Sequence, residues 1–172
     1  TIFIDIFEEI KSLAEKDDIE AISIVGGYYY LAHPPVERNL DSANFWYKKG
    51  AEMGHSYCQN YLANNYMYGN GLDRNLTLAF SWYKKAAEES ERFEAYVKIG
   101  DFYKVGKFVE IDVEEAISWY RKAIKSFKKT HKNETSIAHE KLYNLKKLGY
   151  ENAMTDNEII NKFIKESFHI EN

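Results

Sequence analysis

Three tryptophans, Trp46, Trp82 and Trp119, stand 36 and 37 residues apart, each inside the same phrase: FWYKKGAEMG at 45–54, SWYKKAAEES at 81–90, SWYRKAIKSF at 118–127. Other columns move in step. Ala43, Ala79 and Ala116 precede each tryptophan by three residues, and Asn39, Asn75 and Asp112 by seven. Upstream of each phrase a second segment recurs, AISIVGGYYYLA from Ala21, CQNYLANNYMYG from Cys58 and AYVKIGDFYKVG from Ala95. Two recurring segments at this period predict an all-α solenoid, in which each unit is a pair of helices unable to bury its apolar face without its neighbours.

Helical geometry assigns the columns. At about 100° per residue, Ala79, Trp82, Tyr83 and Ala86 share one arc, while Lys84 and Lys85 turn to the far side and face water. The Trp-Tyr pair is therefore expected in the core, with small residues letting the next helix approach. In the upstream segment Cys58, Leu62, Ala63 and Tyr66 share a face, which turns Asn60, Asn64, Met67 and Tyr68 outward. Each segment carries an aliphatic residue, then a small one, then a tyrosine at matching places. In the first unit the Gly26-Gly27 pair leaves the register open by one.

The punctuation fits helix pairs. Asn39, Asn75 and Asp112 stand where a helix should begin and can accept its unpaired backbone N–H groups. Asp112-x-x-Glu115 reads as a capping box. Gly69-Asn70-Gly71 supplies left-handed conformations for a tight turn, and His33-Pro34-Pro35 replaces it in the first unit. Residues 2–16, with Ile2, Phe3, Ile6, Phe7, Ile10, Leu13 and Ala14 at helical spacing, read as a leading cap. Residues 136–149 read as the first helix of a degenerate further unit, and Thr155-x-x-Glu158 opens a final amphipathic helix.

Composition narrows the function. The net charge of −4 argues against a general nucleic-acid binder, yet residues 121–147 carry +7, leaving −11 on the rest. Within that segment Arg121, Lys122, Lys125, Lys128, Lys129 and Lys132 fall on one helix stripe. This could dock an acidic partner or a polyanion, or it could be the ordinary cationic end of a helix whose start carries Glu114 and Glu115. No apolar run is long enough to span a membrane. The single cysteine, Cys58, excludes an internal disulfide framework and favours a reducing, cytoplasmic compartment; a periplasmic or secreted one stays open if a signal peptide has been removed. The five histidines are scattered, and Tyr143 stands where a metalloprotease helix starting at His139-Glu140 would need its second histidine. No metal, cofactor or catalytic set is expected.

The order alanine, aliphatic-Gly, Tyr, Gly-x-Gly, Asp, Ala, Trp-Tyr-x-x-Ala-Ala resembles the Sel-1-like repeat family, relatives of tetratricopeptide repeats. Three units cover roughly 20–127, with Cys58, Pro34-Pro35 and Phe108 as departures. The resemblance implies a right-handed α-α superhelix over 1–172. Its parts would be a cap at 1–18, repeats at 19–55, 56–91 and 92–130, a degenerate fourth at 131–150 and a cap at 151–172. It also implies a non-catalytic adaptor that binds a protein or peptide along the exposed side of each first helix. Those positions are Ser23, Gly27, Tyr30 and Leu31 in the first unit. In the second they are Tyr57, Asn60, Asn64, Met67 and Tyr68, and in the third Glu94, Val97, Asp101, Lys104 and Val105. Two alternatives remain: a small bacterial inhibitor or immunity-type protein, and a hydrolase like the β-lactam-binding cysteine-rich relatives, whose cysteine pairs this chain lacks.

Overall fold

The computed structural model describes residues 2–90, 92–106, 108–126, 135–150 and 153. Among these the chain forms eight helices and no strand. They are α1 (Ile2–Glu15), α2 (Ile19–Leu31), α3 (Leu40–Glu52), α4 (Ser56–Tyr68), α5 (Leu76–Ser90), α6 (Phe93–Val105), α7 (Val113–Lys125) and α8 (Thr135–Lys147). Helices α1 to α5 belong to one compact unit, Thr1–Ser90, and α6 to α8 to a second, Glu91–Asn172. Within each, packing runs mainly between helices consecutive in the chain, as expected when every helix pair must be covered by the next.

Local chemistry sets the helix ends. The side chains of Asn39, Asn75 and Asp112 accept from the backbone N–H groups of Ser42, Leu78 and Glu115 at 2.9, 3.0 and 2.9 Å. Their own N–H groups donate to the carbonyls of Tyr29, Tyr66 and Tyr103. Each helix pair is thus tied across its turn by one repeated bond, and the extra residue of the first unit is absorbed in the loop. The capping box forms only by half. The Asp112 N–H is already used, so the Glu115 carboxylate accepts from Trp119 Nε1 instead, at 2.9 Å. Gly69, Gly71 and Gly106 take left-handed φ angles of 75°, 68° and 68°. In the first unit Ala32 takes the cap position at φ 55° in place of a glycine.

The repeat columns line the core. Ala43, Ala79 and Ala116 are fully buried, as are Tyr47, Tyr83 and Tyr120. Trp46 and Trp119 are nearly so, whereas Trp82 is only half-buried; the tyrosine after each tryptophan is the side chain that is fully enclosed. Cys58 is accommodated by Gly50, where an added Cβ would lie 2.5 Å from the Cys58 Sγ; the larger residue on α4 is matched by the smallest on α3.

The leading helix departs from expectation. Phe7 and Ala14 of α1 are buried against α2, but Ile2, Phe3, Ile6 and Leu13 are exposed, because one neighbouring helix covers only a narrow strip of the cylinder. Helix α8 buries Ala138, Leu142 and Leu145 in the cluster that holds Tyr120. The expected helix after Thr155 lies outside the described residues.

Candidate functional site

The residues expected to turn outward do so only in part. On α2 and α4 of the first unit, Tyr30, Tyr57, Asn64 and Met67 are half-buried and Tyr68 is 58% exposed. Asn60 is a correction, since it is buried rather than outward. Helix α4 packs against both α3 and α5, so more than half of its circumference is covered and a residue opposite Leu62 still meets protein. Buried Asn65 shows the same breadth, donating to Asn44 Oδ1 at 2.6 Å while Asn44 donates to the Asn70 carbonyl at 2.9 Å. On α6 of the second unit, Asp101 and Lys104 are half-buried, and Val97 is buried rather than lining a surface.

Tyrosines from three helices meet in the first unit. The Tyr57 and Tyr61 rings lie 4.4 Å apart, Tyr61 meets Tyr47 at 5.1 Å, and Tyr30 meets Tyr61 edge-on at 5.5 Å. Arg38 sits 5.9 Å from the Tyr30 ring centroid, a cation over an aromatic face.

The repeated tyrosine of the B helices (α3, α5, α7) explains two groove residues. Tyr83 Oη donates to Asn64 Oδ1 and Tyr120 Oη to Asp101 Oδ1, both at 2.7 Å; Asp101 also pairs with Lys141 at 2.6 Å. Asn64 and Asp101 occupy the same column, two residues before Tyr66 and Tyr103, so their oxygens serve the fold as well as any partner. The first repeat has Gly27 in that column, two residues before Tyr29. Tyr47 Oη is buried with no hydrogen-bond partner among the described residues. The register at the glycine pair is also decided. A Cβ on Gly26 would lie 2.8 Å from the Tyr47 ring, as one on Gly100 would lie 2.5 Å from the Tyr120 ring, whereas a Cβ on Gly27 would meet nothing within 4 Å. Burial raises the pKa of both Tyr47 and Tyr120, and for Tyr120 the Asp101 charge adds to the rise. Both phenols are therefore donors over the ordinary pH range.

The lysines face water and also cover the indoles. The second cation of each phrase lies over its own tryptophan: Lys49, Lys85 and Lys122 are 5.3, 4.5 and 3.8 Å from the ring centroids of Trp46, Trp82 and Trp119. Three residues on a helix bring a side chain back over the earlier one. Lys85 is exposed yet shields an indole. Of the basic stripe, Arg121 is half-buried and Lys125 exposed in the last turn of α7, while Lys128, Lys129 and Lys132 lie outside the described residues. Among the described residues no three His, Cys, Asp or Glu side chains gather as a metal site would require. No described helix is long and apolar enough to cross a membrane.

Sequence reasoning missed the tyrosine-to-acceptor bonds, the Asn44-Asn65-Asn70 chain and the lysine caps. The first of these was visible as two columns: a tyrosine follows every tryptophan, and an acceptor stands at a constant offset in two repeats of three.

Stacked helix pairs with a buried Ala-x-x-Trp-Tyr stripe and a tyrosine-rich outer strip define an all-α solenoid of short repeats. The Sel1 repeat model matches residues 19–55, 56–90 and 93–126, more than half of the chain. The chain belongs to the Sel1 repeat family, whose members are in general non-catalytic modules for protein–protein interaction. A search of curated proteins found no match to the sequence. Among solved structures, a Sel1 repeat protein from Oxalobacter formigenes is similar at 21% identity and a TM-score of 0.77, covering 96% of this chain. This chain spans 64% of that protein's length. The protective antigen c5321 of uropathogenic Escherichia coli, described as displaying an SLR fold, is similar at 24% identity and a TM-score of 0.67, over 86% of this chain and 34% of its own. Helicobacter pylori cysteine rich protein B follows at 18% identity and a TM-score of 0.54, over 72% of this chain and 92% of its own. At these identities the likenesses show the fold.

Proposed function

We propose that the chain is a non-catalytic adaptor that holds a segment of a partner protein on the outer strip of α2 and α4 in its first unit. The observation that carries this reading is the exposure of Tyr68, at 58%, beside half-buried Met67, Asn64, Tyr57 and Tyr30. Recognition surfaces favour tyrosine and methionine and are poor in lysine and glutamate, and rings already packed on one another lose little freedom when a partner lands on them. Asn64 contributes through its amide nitrogen, since its oxygen accepts from Tyr83.

The test is capture of partners by the wild-type chain compared with Tyr68→Ala. The variant is expected to fold as the wild type does and to lose at least about 1 kcal/mol of binding, the scale of an interface anchor. Equal retention of every captured protein by both would refute the assignment of this face. On the second unit, the Arg121 and Lys125 surface serves as the comparison: binding that falls with Lys125→Glu while Tyr68→Ala is silent would move the site there.

A further inference from the structure

Two repeats show what the first one lacks. In each, the buried tyrosine hydroxyl after the tryptophan is satisfied by a side-chain oxygen from a fixed column, Asn64 for Tyr83 and Asp101 for Tyr120. In the first repeat that column holds Gly27, with space beside it, and the Tyr47 hydroxyl has no hydrogen-bond partner among the described residues although the whole side chain is buried. A buried donor with no acceptor is unfavourable, and native structures seldom leave one without a reason. The half-buried rings of Tyr30 and Tyr61 pack on Tyr47 and close the site from the strip already described. Arg38 lies over the Tyr30 ring and brings a positive charge beside it.

We propose that the Gly27 notch is a binding site for a carboxylate side chain, an Asp or Glu of a peptide segment, which accepts from Tyr47 as Asn64 accepts from Tyr83. An amide oxygen would satisfy the hydroxyl equally, but Arg38 favours the charged acceptor. The entering side chain takes the place that the missing Cβ and its oxygen leave open, with a turn of the Tyr30 or Tyr61 ring admitting it. The inference rests on the reading of α2 and α4 as a peptide-binding face, and it adds the chemistry that face selects.

The test is a nuclear magnetic resonance titration of protein labelled at tyrosine rings and methionine methyls. The probes are short capped peptides of glycine, serine and leucine with one central Glu, their Gln and Ala counterparts, and sodium acetate. The Tyr47 signals, assigned by their loss in Tyr47→Phe, are expected to shift with the Glu peptide, and the Ala peptide to bind about tenfold more weakly or worse, the equivalent of one such hydrogen bond. Gly27→Asn, which supplies the oxygen from within, and Tyr47→Phe, which removes the donor, should each abolish the Glu preference. Gly27→Asn keeps the test open even if Tyr47→Phe folds poorly. A Tyr47 signal that stays still under the Glu peptide overturns the proposal; if the Met67 methyl then shifts alike with all three peptides, the binding face stands and only the acceptor site falls. A Tyr47 shift that survives Tyr68→Ala unchanged retains the site and refutes the wider face. Acetate acting as strongly as the peptide overturns the peptide segment as its source.

Discussion

Replacing the repeated tyrosine by phenylalanine, one unit at a time, should give opposite signs in equivalent positions. The ring and its packing remain in every case, so the measured difference belongs to the hydroxyl. Tyr83→Phe removes a neutral bond to Asn64 at 2.7 Å; Asn64 is half-exposed and can turn to water, so the loss should be about 1 kcal/mol. Tyr120→Phe removes a bond to an ionised acceptor, Asp101, at 2.7 Å, and bonds to charged groups contribute about 1.5–3 kcal/mol. The ion pair of Asp101 with Lys141 is retained, which places the expectation at the lower end. Tyr47→Phe removes a buried hydroxyl that has no partner among the described residues. The folded chain then no longer carries an unsatisfied group, and stability should stay level or rise by about 1 kcal/mol. Urea denaturation followed by circular dichroism, compared at constant m-value, reads the differences, and hydrogen exchange assigns each to its unit. If Tyr47→Phe destabilises as much as Tyr83→Phe, the hydroxyl has a partner after all and the equivalence of Gly27 with Asn64 is wrong.

Neighbouring glycines should also part ways. Gly26→Ala drives a methyl into the Tyr47 ring and should destabilise by about 1–3 kcal/mol, as overpacking does, whereas Gly27→Ala enters open space and should stabilise α2 by up to about 1 kcal/mol; thermal unfolding of the pair checks both. Asn75→Ala, which removes the cap on the Leu78 N–H, should lose about 1 kcal/mol, seen as a lower urea midpoint. Alkali should unfold the protein through its tyrosines. The folded state keeps Tyr47 and Tyr120 protonated above the pH where the unfolded chain releases those protons, so it binds more protons and stability falls as pH rises past about 10. The slope approaches about 1.4 kcal/mol per pH unit for each such phenol, and Tyr120→Phe should remove one share of it, read from the urea midpoint against pH.

Much of the fold was legible because the repeat is its own control. Columns that return at Ala43, Ala79 and Ala116, or at Asn39, Asn75 and Asp112, separate packing and capping residues from incidental ones without any second sequence, and the structure buries the first set and uses the second as caps. The candidate face was legible only in part. Tyr68 is exposed as helical geometry implied, but Met67 is half-buried, its sulfur accepting from Tyr83, and Asn60 is buried, since a projection of α4 alone cannot register that helices cover it on two sides.

The sequence by itself determined the period, the helix pair as the unit, the helix starts and the identity of the small residues that let helices approach. Each follows from interactions within about one turn or one repeat of the chain, which spacing records directly. Only the tertiary structure decided which oxygens Tyr83 and Tyr120 find, which of two adjacent glycines meets a ring, and that the Tyr47 hydroxyl finds no partner among the described residues. Hydrogen bonds depend on atoms brought within about 3 Å across two helices, a distance that the order of residues along one helix does not contain.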